Sequence, residues 1–208
     1  MSQHIVITIG REYGSGGGEI AAKVADKLGI KFYDKELIAL IAKNSGLSED
    51  VLHEVDETVS KSSFLYALSS GAFAGTTALS SGIASLPITD KAFINCSQII
   101  KELADKEPCV ILGRCGDSIL ASREKLLTVF IHADMKFRVD RVTKELNISK
   151  SEAESIIKKN DKKRAAYHNY YADTRWGARG TYNLCLNSAL GIDMLVDIIV
   201  AAARDMMK

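Results

Sequence analysis

The chain opens on a short β-branched run that breaks at once into glycine. His4-Ile5-Val6-Ile7-Thr8-Ile9 is apolar at most positions, as in strands that parallel sheets bury on both faces. Of the next ten residues, Gly10-Arg11-Glu12-Tyr13-Gly14-Ser15-Gly16-Gly17-Gly18-Glu19, five are glycine. Behind them Ile20, Val24 and Leu28 recur every four residues with Ala21 and Ala25 beside them, Lys23, Asp26 and Lys27 fall on the other side, and Gly29 can close the helix. Strand, glycine loop and helix in that order leave few folds open. Glycines let the backbone turn with positive φ and bring its N–H groups close to an anion, and the helix start adds unpaired N–H groups and a partial positive charge. The expectation is a phosphate cradle at residues 10–19. A plain flexible turn is the weaker reading, because α/β sheets bind ligands where their strands end.

The rest of the chain continues the alternation. Ile30–Tyr33 is a second short strand, Asp34 can cap a helix running to Lys43, and Ser48 can cap another through Val55. Residues 58–86 are dominated by Thr, Ser, Ala and Gly, and residues 55–90 are expected to form a mobile insertion or flap. Further on, a helix is predicted over 90–104, strands over 109–112 and 126–133, and a helix over 135–146. Ser149 and Glu152 have the spacing of a capping box, and a last strand at 182–186 precedes an apolar-faced helix at 192–206. Strands alternating with helices predict an α/β fold: a parallel sheet of the P-loop NTPase type, flanked by helices on both faces. The 208 residues suit a single domain, 1–208, with the stretch at about 147–180 as a helical lid.

Charge and cysteines narrow the function classes. With 27 basic against 26 acidic side chains, the chain lacks the cationic excess of a nucleic-acid or membrane-surface binder. No apolar run approaches the roughly 20 residues of a membrane span. Cys96, Cys109, Cys115 and Cys185 are scattered, without a disulfide or zinc pattern, and Cys109 and Cys185 are expected to be buried small hydrophobes. With no signal-type segment at the N-terminus, a reduced, cytoplasmic setting is expected.

Any phosphate chemistry must then draw on local cations. The loop lacks the Gly-Lys-Ser/Thr ending of a regular P-loop, since Gly17 stands where the Lys belongs. A dinucleotide-binding reading fits less well: the third glycine of G-x-G-x-x-G falls on Glu19, and only Asp34 could serve as the acidic partner. Arg11 in the loop is one substitute cation. Gly113-Arg114-Cys115-Gly116-Asp117 ends a buried strand, so Arg114 is expected to project into the same cleft. Arg138 and Arg141 share a helix face at i, i+3 and could converge on one phosphate. Asp161 and Arg164 lead into a segment where Arg175 and Arg179 are interleaved with Tyr167, Tyr170, Tyr171 and Trp176. Each Arg alone is as readily a solvated charge; together they make the clamp that phosphoryl transfer requires. His53 and His168 need no special role, and a surface position is expected for His168.

The order of these features resembles the nucleoside monophosphate kinases, and most closely the cytidylate kinase-like proteins. The resemblance rests on the Ile9-Gly10 to Gly17 loop, Gly113-Arg114, Val129-Phe130-Ile131-His132-Ala133 with Arg138 and Arg141, Asp161 with Arg164, and the ending Tyr182 to Asn187 with Leu190-Gly191. It implies that residues 10–19 hold the phosphates of ATP with Mg²⁺. It also implies that Asp34, Arg114, Cys115, Asp161 and Arg164 border a small phosphate-bearing acceptor, and that Arg138 and Arg141 close over the transferring group. Arg11, Arg114, Arg138, Arg141 and Arg164 would then be catalytic by charge neutralisation alone, because a phosphate acceptor needs no separate base. Two departures stand out: the absent loop Lys, and Cys115 where cytidylate kinases carry Asp, which weighs against CMP itself. Glu19 stands where a loop Thr assists the metal, leaving the metal ligands unassigned. The leading expectation is a phosphotransferase acting on a nucleoside monophosphate, CMP-like or a similar small anion. The alternatives are a non-catalytic nucleotide-binding regulator and, further off, a dinucleotide-dependent oxidoreductase.

Overall fold

Alternation along the first strand divides the interior into two cores, one on each face of the sheet. In the computed structural model, which describes residues 4–34 and 88–208, β1 (Val6–Arg11) lies at the centre of a sheet. Ile5, Ile7 and Ile9 point to one side, into a core shared with Ile20 and Val24 of helix α1 (Gly17–Leu28) and with Leu195, Ile199 and Val200 of helix α6 (Ile192–Met206). Val6 points to the other side, where Ile99, Ile100 and Ala104 of helix α2 (Ile88–Lys106) close a second core. A strand that is apolar on both faces thus has helices on both, as its continuous β-branched run requires.

Among the described residues the sheet has five strands in the order β2-β3-β1-β4-β5, every neighbouring pair parallel. The others are β2 (Lys31–Tyr33), β3 (Cys109–Leu112), β4 (Leu126–His132) and β5 (Leu184–Asn187). β3 repeats the parity of β1: Val110 and Leu112 face the first core, Cys109 and Ile111 the second. A four-residue helix, α3 (Gly116–Ile119), follows β3. Helices α4 (Met135–Leu146) and α5 (Lys150–Tyr171) follow β4 and form a third, smaller cluster through Val139, Val142, Ala153 and Ile157. The capping box holds: the Ser149 hydroxyl accepts from the Glu152 N–H at 3.2 Å, and the Glu152 carboxylate accepts from the Ser149 N–H at 3.0 Å. No described helix is long and apolar enough to cross a membrane.

The helices expected between Asp34 and Val55, and nearly all of the flap expected at 55–90, lie outside the described residues. β1 and β5 depart most from their expected bounds, and β2 and β4 each differ by one residue. β1 runs on through Gly10 and Arg11, because these residues pair with Phe130 and Ile131 of β4. β5 begins at Leu184 and not at Tyr182, whose ring packs beside Phe130 with centroids 5.1 Å apart. Cys185 is half-buried, not fully enclosed as expected.

The first core carries the fold's stability. Ile199→Ala, which empties a fully buried site between α6 and the sheet, should cost about 2–5 kcal/mol. Urea unfolding reads this directly, and a midpoint equal to wild type would contradict the packing described.

Candidate active site

The loop is shaped by two left-handed turns. Gly14 and Gly16 have φ of 76° and 78°, a region that side-chain-bearing residues rarely enter. Gly14 is doubly constrained, since a Cβ there would lie 2.8 Å from Val142 Cγ2. α1 starts directly after Gly16, which has no capping side chain. The N–H groups of a helix's first turn have no intrahelical partners, so this helix start is suited to an anion.

What fixes the loop is a set of polar contacts on its back. The Tyr13 N–H donates to Asp161 Oδ1 at 2.7 Å, while Arg138 Nη1 donates to Asp161 Oδ2 and, at 3.3 Å, to the Tyr13 carbonyl. Glu12 lies 3.4 Å from Arg138 Nε and accepts from the Ala133 N–H at 3.1 Å. The Glu12 N–H in turn donates to the Ile131 carbonyl at 3.0 Å. The Arg138 side chain is only 7% exposed. Buried charge is tolerated here because each member is paired and hydrogen-bonded.

These contacts redistribute the expected roles. Arg138 and Arg141 share a helix face but do not converge: Arg138 is spent on the back of the loop. Arg141 pairs with Glu19 at 2.9 Å and Glu145 at 2.7 Å, and its Nη1 lies 3.3 Å from the point where a Cβ on Gly16 would sit. Arg141 therefore stands at the rim of the cradle, and its guanidinium holds the Glu19 carboxyl below the usual carboxylate range. Asp161, expected at the acceptor, uses both carboxylate oxygens behind the loop. Glu19 is also paired with Lys23 at 3.3 Å. Among the described residues no cluster of His, Cys, Asp and Glu is placed to hold a metal ion.

Arg114 and Arg164 do line one narrow, largely enclosed cleft, in which Arg114, Cys115 and His168 are buried. It opens at the C-terminal edge of the sheet and is lined by Gly10, Arg11, Gly113, Arg114, Cys115, Asp117, Arg164 and His168, with three aromatic residues, Tyr167, Trp176 and Tyr182. Arg114 and Cys115 take left-handed φ of 57° and 55° as the chain turns from β3 into α3, a conformation uncommon for residues with side chains. Arg164 reaches across from α5, donating to the Arg11 carbonyl at 3.2 Å with its guanidinium 5.5 Å from the Tyr13 ring centroid. Asp34 lies just past the end of β2, at the same edge of the sheet.

His168 departs most from expectation. It is 4% exposed, and its Nε2 lies 2.9 Å from Asp117 Oδ2 inside the cleft. Neither residue was expected there. The available signal was helical spacing, because Asp161, Arg164 and His168 recur at intervals of three and four along α5 and so share one stripe. The tyrosines of α5 fill an interface: Tyr171 stacks on Phe93 of α2 with centroids 3.9 Å apart, and Tyr167 meets the same ring edge-on at 6.1 Å.

With this geometry in place, similarity to known proteins is informative. The profile of the cytidylate kinase-like family matches residues 6–190. The chain belongs to that family. An uncharacterized protein from Eubacterium ventriosum ATCC 27560 is 26% identical, with 97% of this chain and 99% of that chain covered and a TM-score of 0.72. A gluconokinase from Sinorhizobium meliloti 1021 (15% identity, 100% and 95% covered, TM-score 0.53) shares the fold. So does a shikimate kinase from Bacteroides thetaiotaomicron (14% identity, 96% and 98% covered, TM-score 0.54). No curated protein matches the sequence significantly. The chain is therefore a cytidylate kinase-like protein with a P-loop kinase fold.

In this family member the loop's polar backing is open to test. Asp161→Ala leaves Arg138 buried without its main partner and the Tyr13 N–H without an acceptor, a loss of about 3–5 kcal/mol. The same change at Asp140, an exposed-side partner of Lys150, should cost under about 1 kcal/mol. Equal urea midpoints for the two variants would refute the role assigned to Asp161.

Proposed function

We propose that this protein is a phosphotransferase that moves the γ-phosphoryl group of MgATP, or of another nucleoside triphosphate, to a nucleoside monophosphate or a similar small anionic acceptor. One observation carries the reading: the glycine loop leads from the C-terminal end of β1 into α1, and at that same end of the sheet Gly10 and Arg11 line one cleft together with Arg114 and Arg164. Membership of the family supports it.

In this reading the backbone from Gly14 to Gly18 and the first turn of α1 hold the donor's phosphates, and Arg141 closes over them from the rim. Magnesium arrives with the nucleotide, chelated by its phosphates, in keeping with the scarcity of dedicated protein cages for this ion. Arg114 and Arg164 hold the acceptor's anionic group as bidentate donors. Asp117, braced by His168, presents a carboxylate to the same cleft, so the acceptor should pair its anionic group with a hydrogen-bond donor. A carboxylate thus stands two residues beyond Cys115, where cytidylate kinases carry their Asp. That leaves CMP-like acceptors within the proposal and makes the acceptor panel decisive. Catalysis is positioning and charge neutralisation; a monophosphate oxygen is already a nucleophile.

A coupled assay with MgATP against the common nucleoside monophosphates and a set of small phosphorylated or carboxylated acceptors should find turnover on at least one. Arg114→Met should then lower kcat/KM by about 10²–10³, with nucleotide binding largely kept. Saturable MgATP binding without turnover on any acceptor would instead favour a non-catalytic nucleotide-binding protein.

A further inference from the structure

The loop departs from the usual phosphate-binding pattern at three positions, residues 11, 17 and 18, and the first two touch. In Gly-x-x-x-x-Gly-Lys-Ser/Thr, with Gly16 taken as the second glycine, the first glycine falls at residue 11 and the lysine at residue 17. This chain has Arg11 and Gly17. A Cβ built on Gly17 would lie 2.5 Å from Arg11 Cβ and 3.1 Å from Arg11 Cγ, with Ile131 Cβ at 3.4 Å on its other side. Two non-bonded carbons make favourable contact only at about 3.5–4.0 Å. The near atom is a Cβ, fixed to the backbone, and β1 holds that backbone through the pairing of Arg11 with Ile131. Side chains at 11 and at 17 therefore exclude one another. A regular loop places a side chain at 17 and none at 11; this loop does the reverse.

We propose that Arg11 is the loop lysine transposed: its stem crosses the space that Gly17 leaves, and its guanidinium supplies the fixed cation for the terminal phosphates of a nucleoside triphosphate. The inference rests on the phosphotransferase reading and deepens it by naming the group that replaces the lysine and the reason residue 17 is glycine. Arg11 is the last residue of β1 and lines the cleft with Arg114 and Arg164, so its charge enters between the cradle and the acceptor side. Its carbonyl is held by Arg164 Nη1 at 3.2 Å, which ties the base of the side chain to α5. A guanidinium also changes the recognition, since it offers two parallel donors where an ammonium is a point charge.

Two measurements on the full chain test this. The first is a thermal-stability cycle of Gly17→Ala with and without Arg11→Gly. A large drop in Tm from Gly17→Ala in the presence of Arg11, and little or none in the Arg11→Gly background, supports mutual exclusion. Equal drops in both backgrounds overturn it. The second is titration with MgATP, with adenosine, which carries no phosphate, as the reference ligand. Arg11→Met keeps the stem and removes the charge; it should weaken MgATP binding by about 10- to 100-fold and leave adenosine affinity unchanged. The double variant Arg11→Gly/Gly17→Lys should recover to within about threefold of wild type. Unchanged MgATP affinity in Arg11→Met, or a folded double variant no better than Arg11→Gly, overturns the transposition while the kinase reading stands. Failure of the wild-type chain to bind MgATP at all removes both. If the double variant does not fold, the Arg11→Met titration decides alone.

Discussion

The site depends on the carboxylate of Asp161. A loop that presents N–H groups to an anion has few bonds of its own to hold it open; in this one they run from the buried Ser15, whose hydroxyl donates to the Glu12 carbonyl at 2.8 Å. The rest of the restraint comes from behind. Asp161 accepts the Tyr13 N–H with one oxygen and Arg138 with the other, and Arg138 returns a bond to the Tyr13 carbonyl. Both polar groups of one loop peptide unit's neighbourhood are thus fixed to α4 and α5 before any nucleotide arrives. Pairing two charges out of water gains little net stability, since desolvation offsets most of the attraction. Its return is a single loop geometry, which is what a cradle built from backbone must have.

α5 extends this restraint to the other half of the site. Its first turns join the small core with α4, Asp161 holds the glycine loop, and Arg164 and His168 line the cleft beside it. Tyr167 and Tyr171 finally pack on α2, where the Tyr171 hydroxyl donates to Asp90 at 2.6 Å. One helix therefore sets the position of the glycine loop and of the cleft together. This explains its weak amphipathicity: the stripe facing inward carries Asp161, Arg164 and His168 because it faces a site and not a core. A helix with charged residues on its buried side is unintelligible as packing alone and intelligible as a frame for anions.

That contrast marks what was legible in the sequence. The strand order of apolar runs, the glycine loop, the Ser149–Glu152 cap and the apolar face of α6 are local signals with periods of two or 3.6, and each appears in the structure near its predicted place. The fold class followed from them. The arginines were also visible, but their partners were not. Whether Arg138 points at a phosphate or at Asp161, 23 residues away, depends on how α4 and α5 cross, and no spacing within one helix encodes that. A surface position is expected for His168; Asp117, from a four-residue helix after β3, is what brings it inside. Tyr167 and Tyr171 cover Phe93 of α2, a partner that no spacing within α5 names.

The departures at Arg11 and Gly17 follow the same division between backbone and side chain. The cradle is made of amide groups and of the left-handed turns at Gly14 and Gly16, none of which requires a particular side chain at residue 17. The cation is a separate component, required only to be near the terminal phosphates. With nearly equal numbers of acidic and basic side chains overall, the chain has no general field to draw on, and a strand-end arginine beside Arg114 and Arg164 places positive charge where the sheet edge opens. Relocating the charge from the helix to the strand leaves the amide geometry intact as long as one of the two positions gives up its side chain. Gly17 satisfies that condition against Arg11, so its missing lysine does not by itself mark the loop as degenerate.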